Sequence, residues 1–109
     1  MDFICNITFV VAPEAEERFL DWARGTLVPS LFNNESPAMN PALRKVVEAG
    51  GEKPGKDHGV SIALHAEFAT EAEVRKWHDI FLSPALGTFV TTFGQDSVFF
   101  ITLLKALPI

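Results

Sequence analysis

One segment of the sequence places an imidazole and a carboxylate within reach of each other. Residues 59–68 alternate between two kinds of side chain, with the period of a half-buried β-strand. With that period, His65 and Glu67 point to the same face. The opposite face is apolar throughout: Val60, Ile62, Leu64, Ala66 and Phe68. A carboxylate in contact with an imidazole can fix its tautomer, which is a general-base arrangement.

Polar residues on neighbouring strands extend this face. By the same alternation, Asn6 and Thr8 near the start of the chain and Thr102 near its end share the side of His65. A mostly apolar cavity with a few convergent polar groups is typical of a small-molecule site. We therefore predict two sets of site residues: catalytic His65 and Glu67, and ligand-binding Asn6, Thr8, Phe100 and Thr102. The alternative is that these polar groups satisfy one another at a subunit interface.

Other chemistries have little support in the sequence. Cys5 is the only cysteine and has no histidine near it, which favours a buried thiol over a nucleophile. His78 and Asp79 fall on a predicted helix away from His65, so we predict no metal site. The segment Gly50–Gly59 lacks the P-loop pattern and is predicted as a long hairpin loop. We predict no cofactor.

Composition and charge narrow the class of protein. The 109 residues predict a single domain over residues 1–109, and a hydrophobic content of 48% excludes a disordered chain. The net charge of −5 and scattered cations argue against a nucleic-acid or membrane partner. The first residues lack the basic region and cleavage site of a signal peptide, so we expect a cytoplasmic protein.

The first half of the sequence predicts a strand, a helix and a second strand. Phe3–Val11 alternates as a strand, and Pro13–Leu31 carries an apolar stripe at helical spacing. Pro29 has no N–H for a helical hydrogen bond, so we expect a kink or a break near Gly25–Thr26. Ala42–Ala49 is predicted as the second strand.

The second half repeats this order after the strand over residues 59–68. Thr70, followed three residues later by a glutamate, predicts a helix N-cap with a capping box. The helix is predicted to restart at Ser83, which precedes a proline, and to end at Gly94. Ser97–Ala106 is predicted as the last strand and is apolar on both faces.

The resulting order, βαββαβ, is the pattern of ferredoxin-like domains. We therefore predict an α+β sandwich, a four-stranded antiparallel sheet with kinked helices on one face. The other face then carries five apolar side chains: Ile4, Val10, Val98, Phe100 and Leu104. Leaving them in water would forgo on the order of 7–15 kcal/mol, so we predict a homodimer that packs sheet on sheet. The alternative is a monomer whose open face is a groove for a ligand or partner.

Three segments carry a resemblance to a known family. They are Asn6–Thr8, the run from Trp22 through Pro29 to Phe32, and Ser83–Leu86 followed by Phe93–Asp96. Over nearly its whole length the chain resembles a small bacterial family of domains of unknown function, similar in turn to the dimeric α+β barrels. The resemblance implies a ferredoxin-like fold and dimerisation.

The resemblance also limits what function can be expected. Family relatives often carry a histidine at the position of Leu27, so chemistry that depends on that histidine is not expected here. The wider superfamily includes small monooxygenases, isomerases and haem-handling enzymes, which is an analogy at the level of fold. Our first hypothesis is a homodimeric module that binds a small apolar ligand in a sheet-face cavity or simply associates with a partner. The alternative is a cofactor-free monooxygenase- or isomerase-like enzyme acting on a small hydrophobic molecule with His65 as base.

Overall fold

A computed structural model describes residues 2–47, 59–94 and 96–109. Its four strands form one antiparallel sheet in the order β2-β3-β1-β4. The strands are β1 (Phe3–Val11), β2 (Met39–Lys45), β3 (Val60–Phe68) and β4 (Val98–Lys105). The α+β ferredoxin-like prediction is therefore confirmed. The predicted loop over residues 50–59 lies, apart from Gly59, outside the described residues.

The first helical run contains a π-helical turn at Gly25–Thr26, where the sequence predicted an irregularity. A short 3₁₀ turn (Pro13–Ala15) leads into α1 (Glu16–Trp22), the turn π1 (Ala23–Leu27) and α2 (Val28–Leu31). Pro29 lies in the first turn of α2. A π turn gives the backbone room for a residue that has no N–H and whose ring crowds the preceding turn, so the helical backbone continues through Pro29 without a break.

The second helical run has the same construction. It consists of α3 (Glu71–Trp77), the turn π2 (His78–Leu82) and α4 (Ser83–Phe93). Thr70 caps α3 as predicted, because its hydroxyl accepts a hydrogen bond from the backbone N–H of Glu73 at 3.2 Å. α4 begins at Ser83, where the restart was predicted. The prediction that Ser83 is its N-cap is wrong, since the helical backbone continues from π2 into α4 and the Ser83 side chain makes no cap. Gly94 ends α4 with a positive φ of 81°.

The second strand differs most from its sequence prediction. β2 runs from Met39 to Lys45, so it begins three residues before the predicted strand Ala42–Ala49 and ends before Val46. Residues 48 and 49 of that prediction lie outside the described residues. A β-bulge lies between Met39 and Ala42, and β2 pairs only with β3. Pro41 can therefore be accommodated, because an edge strand tolerates a residue without a ladder donor. Alternation alone assigned the wrong bounds because a bulge shifts the period by one residue.

The core lies between the sheet and the helical layer. Alternate residues of β1 and β3 face the helices and are buried: Cys5, Ile7, Phe9, Val11, Ile62, Leu64, Ala66 and Phe68. Phe9, Phe19 and Phe89 pack with ring centroids 4.9–5.8 Å apart. The buried indole N–H of Trp77 donates to the carbonyl of Leu31 at 2.9 Å, which ties the two helical runs together.

Within residues 2–47, 59–94 and 96–109, no helix covers the opposite face of the sheet. The residues of β1 and β3 on this face are all partly exposed, while β4 is exposed along most of its length. Phe100 is 59% exposed, Val98 46% and Leu104 42%. These side chains lie on the face that the sequence predicted to be open. Within the described residues, no helix has the length and hydrophobicity needed to cross a membrane.

Candidate functional site

Strand register aligns three of the predicted site residues in one row across the open face. His65 of β3 lies opposite Asn6 of β1, and Asn6 lies opposite Thr102 of β4. Ala42 of β2 completes the row on the other side of His65. Directly opposed residues of antiparallel strands have Cβ atoms about 4.5–5.5 Å apart. We name this set, His65, Asn6, Thr102 and Ala42, the polar row.

The rows on either side of the polar row combine apolar side chains with Glu67 on one side and Thr8 on the other. On one side, Glu67 lies opposite Ile4, which in turn lies opposite Leu104. On the other side, Ala63, Thr8 and Phe100 form a row of their own. The small side chains of Ala42 and Ala63 leave space beside the imidazole of His65. All six predicted site residues therefore share one face, although their roles remain predictions.

His65 and Glu67 are in direct contact. The His65 Nε2 and the Glu67 Oε2 are 2.8 Å apart, and the two side chains are 17% and 27% exposed. An ionised carboxylate only accepts hydrogen bonds, so Nε2 carries the hydrogen. In the neutral imidazole, Nδ1 is then the atom with the free lone pair. The pair can orient the ring and present a proton acceptor at Nδ1.

Hydrogen bonds hold Glu67 in its ionised form. The contact with His65, followed by a hydrogen bond from the Asn40 side chain, lowers the pKa of Glu67 below its ordinary value of 4.5. The Asn40 amide donates to Glu67 Oε1 at 3.3 Å. Sequence reasoning missed Asn40, because its place beside Glu67 depends on the bulge in β2. An asparagine before a proline in an edge strand was the available signal, since asparagine tolerates positive φ.

Three other positions considered in the sequence lie away from this face: Cys5, Leu27 and His78. Cys5 is buried on the helix side, and burial raises the pKa of its thiol to about 11, so it is an inert core residue as expected. Leu27 is fully buried in π1 beneath the helices. His78 contacts Asp79 at 3.0 Å on π2. Within the described residues, no three histidine, cysteine, aspartate or glutamate side chains cluster as metal ligands.

Three surface grooves lie at the helical layer rather than over the polar row. The one between α1 and β2 has a volume of about 450 Å³, one beside π2 and β4 has about 400 Å³, and one between the helical runs has about 330 Å³. None of the three is lined by His65. The polar row of a single chain is thus a shallow surface feature with apolar surroundings.

Family comparison agrees with this architecture. A family described as a domain of unknown function, DUF4286, matches residues 2–107. The chain belongs to the DUF4286 family. This membership confirms the resemblance inferred from the sequence. Among curated proteins, none matches this DUF4286 chain.

Three solved structures share the fold of this DUF4286 chain. An ethyl tert-butyl ether d (EthD) family protein from Bacillus halodurans has a TM-score of 0.61 at 12% identity, covering 96% of this chain and 99% of that protein. A monooxygenase from the gene ActVA-Orf6 of Streptomyces coelicolor, in complex with Nanaomycin D, has a TM-score of 0.59 at 12% identity, with coverages of 99% and 91%. A protein of unknown function from Nitrosomonas europaea has a TM-score of 0.55 at 18% identity, with coverages of 100% and 95%. Identities this low establish the fold alone.

Proposed function

We propose that this DUF4286 chain is a homodimeric module that binds a small, largely apolar molecule over the polar row. The observation that carries the proposal is the combination on one sheet face of exposed apolar side chains and a few converging polar groups. That composition is typical of ligand sites. In the part of the chain that the structure describes, the helices lie on the other face of the sheet.

A second copy of the chain is the occupant that we propose for the outer part of this face. Phe100, Val98 and Leu104 are each more than 40% exposed and lie on one strand. Contiguous exposed apolar surface of this kind marks interaction sites in water. In a two-fold dimer the same patch contacts itself, so one patch on each copy is sufficient.

The ligand is proposed to occupy the lower, inner part of the face. Ala42 and Ala63 have small side chains and lie beside His65. Phe100 and Leu104 have larger side chains and lie on β4, the edge strand beyond β1. Sheet-on-sheet packing over this surface would leave a space with apolar walls and the polar row at its base. The complex of the Streptomyces monooxygenase with Nanaomycin D supports a small-molecule role as a fold-level analogy.

A second candidate function is a cofactor-free, monooxygenase- or isomerase-like enzyme. The 2.8 Å contact between His65 and Glu67 favours it, because Glu67 holds the Nε2 hydrogen and leaves Nδ1 to accept a proton. His65 would then be the base, Glu67 its orienting partner, and Asn6 or Thr102 hydrogen-bond donors to the substrate. Both functions require the same small apolar molecule to bind over the polar row.

Binding of the neutral apolar fluorophore N-phenyl-1-naphthylamine tests the proposal. We expect saturable fluorescence enhancement with the wild type and at least about tenfold weaker binding by Phe100→Asp, because that variant loses a buried aromatic contact. Ile80→Asp is the matched control, since Ile80 is 54% exposed but lies on π2 in the helical layer. Equal binding by wild type and Phe100→Asp would contradict the proposal.

A further inference from the structure

The bulge in β2 gives one residue an unusual backbone conformation beside the polar row. Asn40 has a φ of 55°, in the left-handed region that residues with a Cβ rarely adopt. It lies within the register shift between Met39 and Ala42. Bulges of this kind redirect a side chain relative to the strand and are often found next to functional sites. Here the redirected side chain reaches across to β3.

Asn40 and His65 hold opposite oxygens of one carboxylate. The Asn40 Nδ2 donates to Glu67 Oε1 at 3.3 Å, while Glu67 Oε2 contacts His65 Nε2 at 2.8 Å. With a donor on each oxygen, rotation of the carboxylate would break at least one hydrogen bond. The side chain of Glu67 is 27% exposed, so without Asn40 the carboxylate would be held by His65 alone and Oε1 would be open to solvent.

We propose that Asn40 is a positioning residue of the sheet-face site: by holding Glu67 Oε1, it fixes the carboxylate that orients His65. This inference rests on the proposed function, because only a molecule bound over the polar row would make use of the oriented imidazole. An ordinary β-strand does not require a bulge, a left-handed residue or these two hydrogen bonds. All of them occur together at Asn40 and Glu67.

The surroundings of Glu67 make the effect measurable. His65 is the titratable group in contact with it, and its neighbours across β1 and β4 are the apolar Ile4 and Leu104. On β2, Arg44 lies opposite Ala63, two rows away. The hydrogen bond from Asn40 is one of the contacts that lower the pKa of Glu67. Its removal should therefore be visible in the titration of that carboxyl.

Carbon NMR titration of the Glu67 side chain in the full chain is the test. Asn40→Gly removes the amide but accepts the positive φ, so we expect the Glu67 titration to move upward toward its ordinary range. Asn40→Asp keeps the shape and places a second carboxylate beside Glu67, so we expect a larger upward movement. Asn34→Gly is the control, because Asn34 lies in an exposed turn before β2 and takes no part in the pairing of β2 with β3. In Asn34→Gly, the titration curve of Glu67 should match that of the wild type.

Nitrogen NMR of His65 supplies the second readout. We expect the fraction of neutral imidazole with hydrogen on Nε2 to fall in Asn40→Gly, whereas a purely structural asparagine would leave it unchanged. An unchanged Glu67 titration and an unchanged tautomer in Asn40→Gly would overturn the positioning role. Either folded Asn40 variant is sufficient for this decision.

Ligand binding separates this inference from the proposed function. N-phenyl-1-naphthylamine should bind Asn40→Gly about two- to tenfold more weakly than the wild type, the usual cost of one hydrogen bond, and Asn34→Gly normally. A wild type that fails to bind the fluorophore would contradict the proposed function. A shifted Glu67 titration in the same samples would still support the role of Asn40 in holding the carboxylate.

Discussion

The contact between Glu67 and His65 makes the stability of the folded state depend on the ionisation of Glu67. The pKa of Glu67 in the folded chain lies below its ordinary value of 4.5, chiefly because of the hydrogen bond with His65. A carboxyl whose pKa is lowered by folding stabilises the folded state fully at pH values above its unfolded pKa. That stabilisation is lost as the pH falls through the folded pKa.

Acid unfolding should therefore depend on Glu67. We expect the free energy of unfolding of the wild type to fall more steeply below about pH 4.5 than that of Glu67→Gln, which has no carboxyl to protonate. Urea unfolding at a series of pH values from 7 to 3 measures the two slopes. Glu35→Gln, at an exposed loop position, should keep the wild-type slope. Parallel curves for the wild type and Glu67→Gln would contradict the prediction.

At the scale of elements, the two helical runs are built alike. Each has a tryptophan at the end of an α-helix, a π turn after it, and a proline seven residues beyond the tryptophan: Trp22 with Pro29, and Trp77 with Pro84. Leu27 ends π1 and Leu82 ends π2, and both side chains are fully buried in the core.

Among the described glycines, Gly59 at the start of β3 has the closest backbone neighbour to its Cβ position. A Cβ on Gly59 would clash with the carbonyl oxygen of Val11 at the end of β1. We expect Gly59→Ala to lower the free energy of unfolding by about 1–3 kcal/mol, because strand ends must move apart. Gly87→Ala is the matched control, since a Cβ there meets no atom within 4 Å and α4 gains helix propensity.

Thermal and urea unfolding of the two variants measure this difference. Gly87→Ala should raise the free energy of unfolding by about 0.5–1 kcal/mol. Equal stability of Gly59→Ala and the wild type would show that the β1 and β3 ends adjust without cost.

At the scale of the whole molecule, β4 has apolar side chains that stay exposed on both of its faces in a single chain. It is an edge strand, and Ile101 and Leu103 on its helix side are each 39% exposed, as Phe100 and Leu104 are exposed on the other. Long apolar edge strands favour association with other chains. Packing of a second copy over the open face would cover one side of this strand.

Sedimentation at micromolar concentration tests the predicted dimer. The 12.0 kDa chain should sediment with about twice its own mass, as expected for an apolar interface of standard size. Phe100→Asp should shift the population toward monomer, whereas Ile80→Asp should leave the mass unchanged. A wild type that remains monomeric would contradict the dimer and favour an open groove.

The sequence by itself determined the order of elements and the two faces of the sheet. Alternation in β1 and β3 separates buried from open side chains because successive residues of a strand point to opposite faces. For that reason His65, Glu67, Asn6, Thr8 and Thr102 were assigned to one face before any pairing was known. The cap at Thr70 was equally local, because its hydroxyl bonds a backbone N–H three residues away.

Only the tertiary structure decided which of these residues are neighbours. The polar row exists because of strand register, which depends on contacts between segments up to 96 residues apart, from Asn6 to Thr102. The bulge that brings Asn40 to Glu67 depends on the pairing of β2 with β3. Local sequence specifies backbone preference and facing, but register and bulges are set by the free energy of long-range packing.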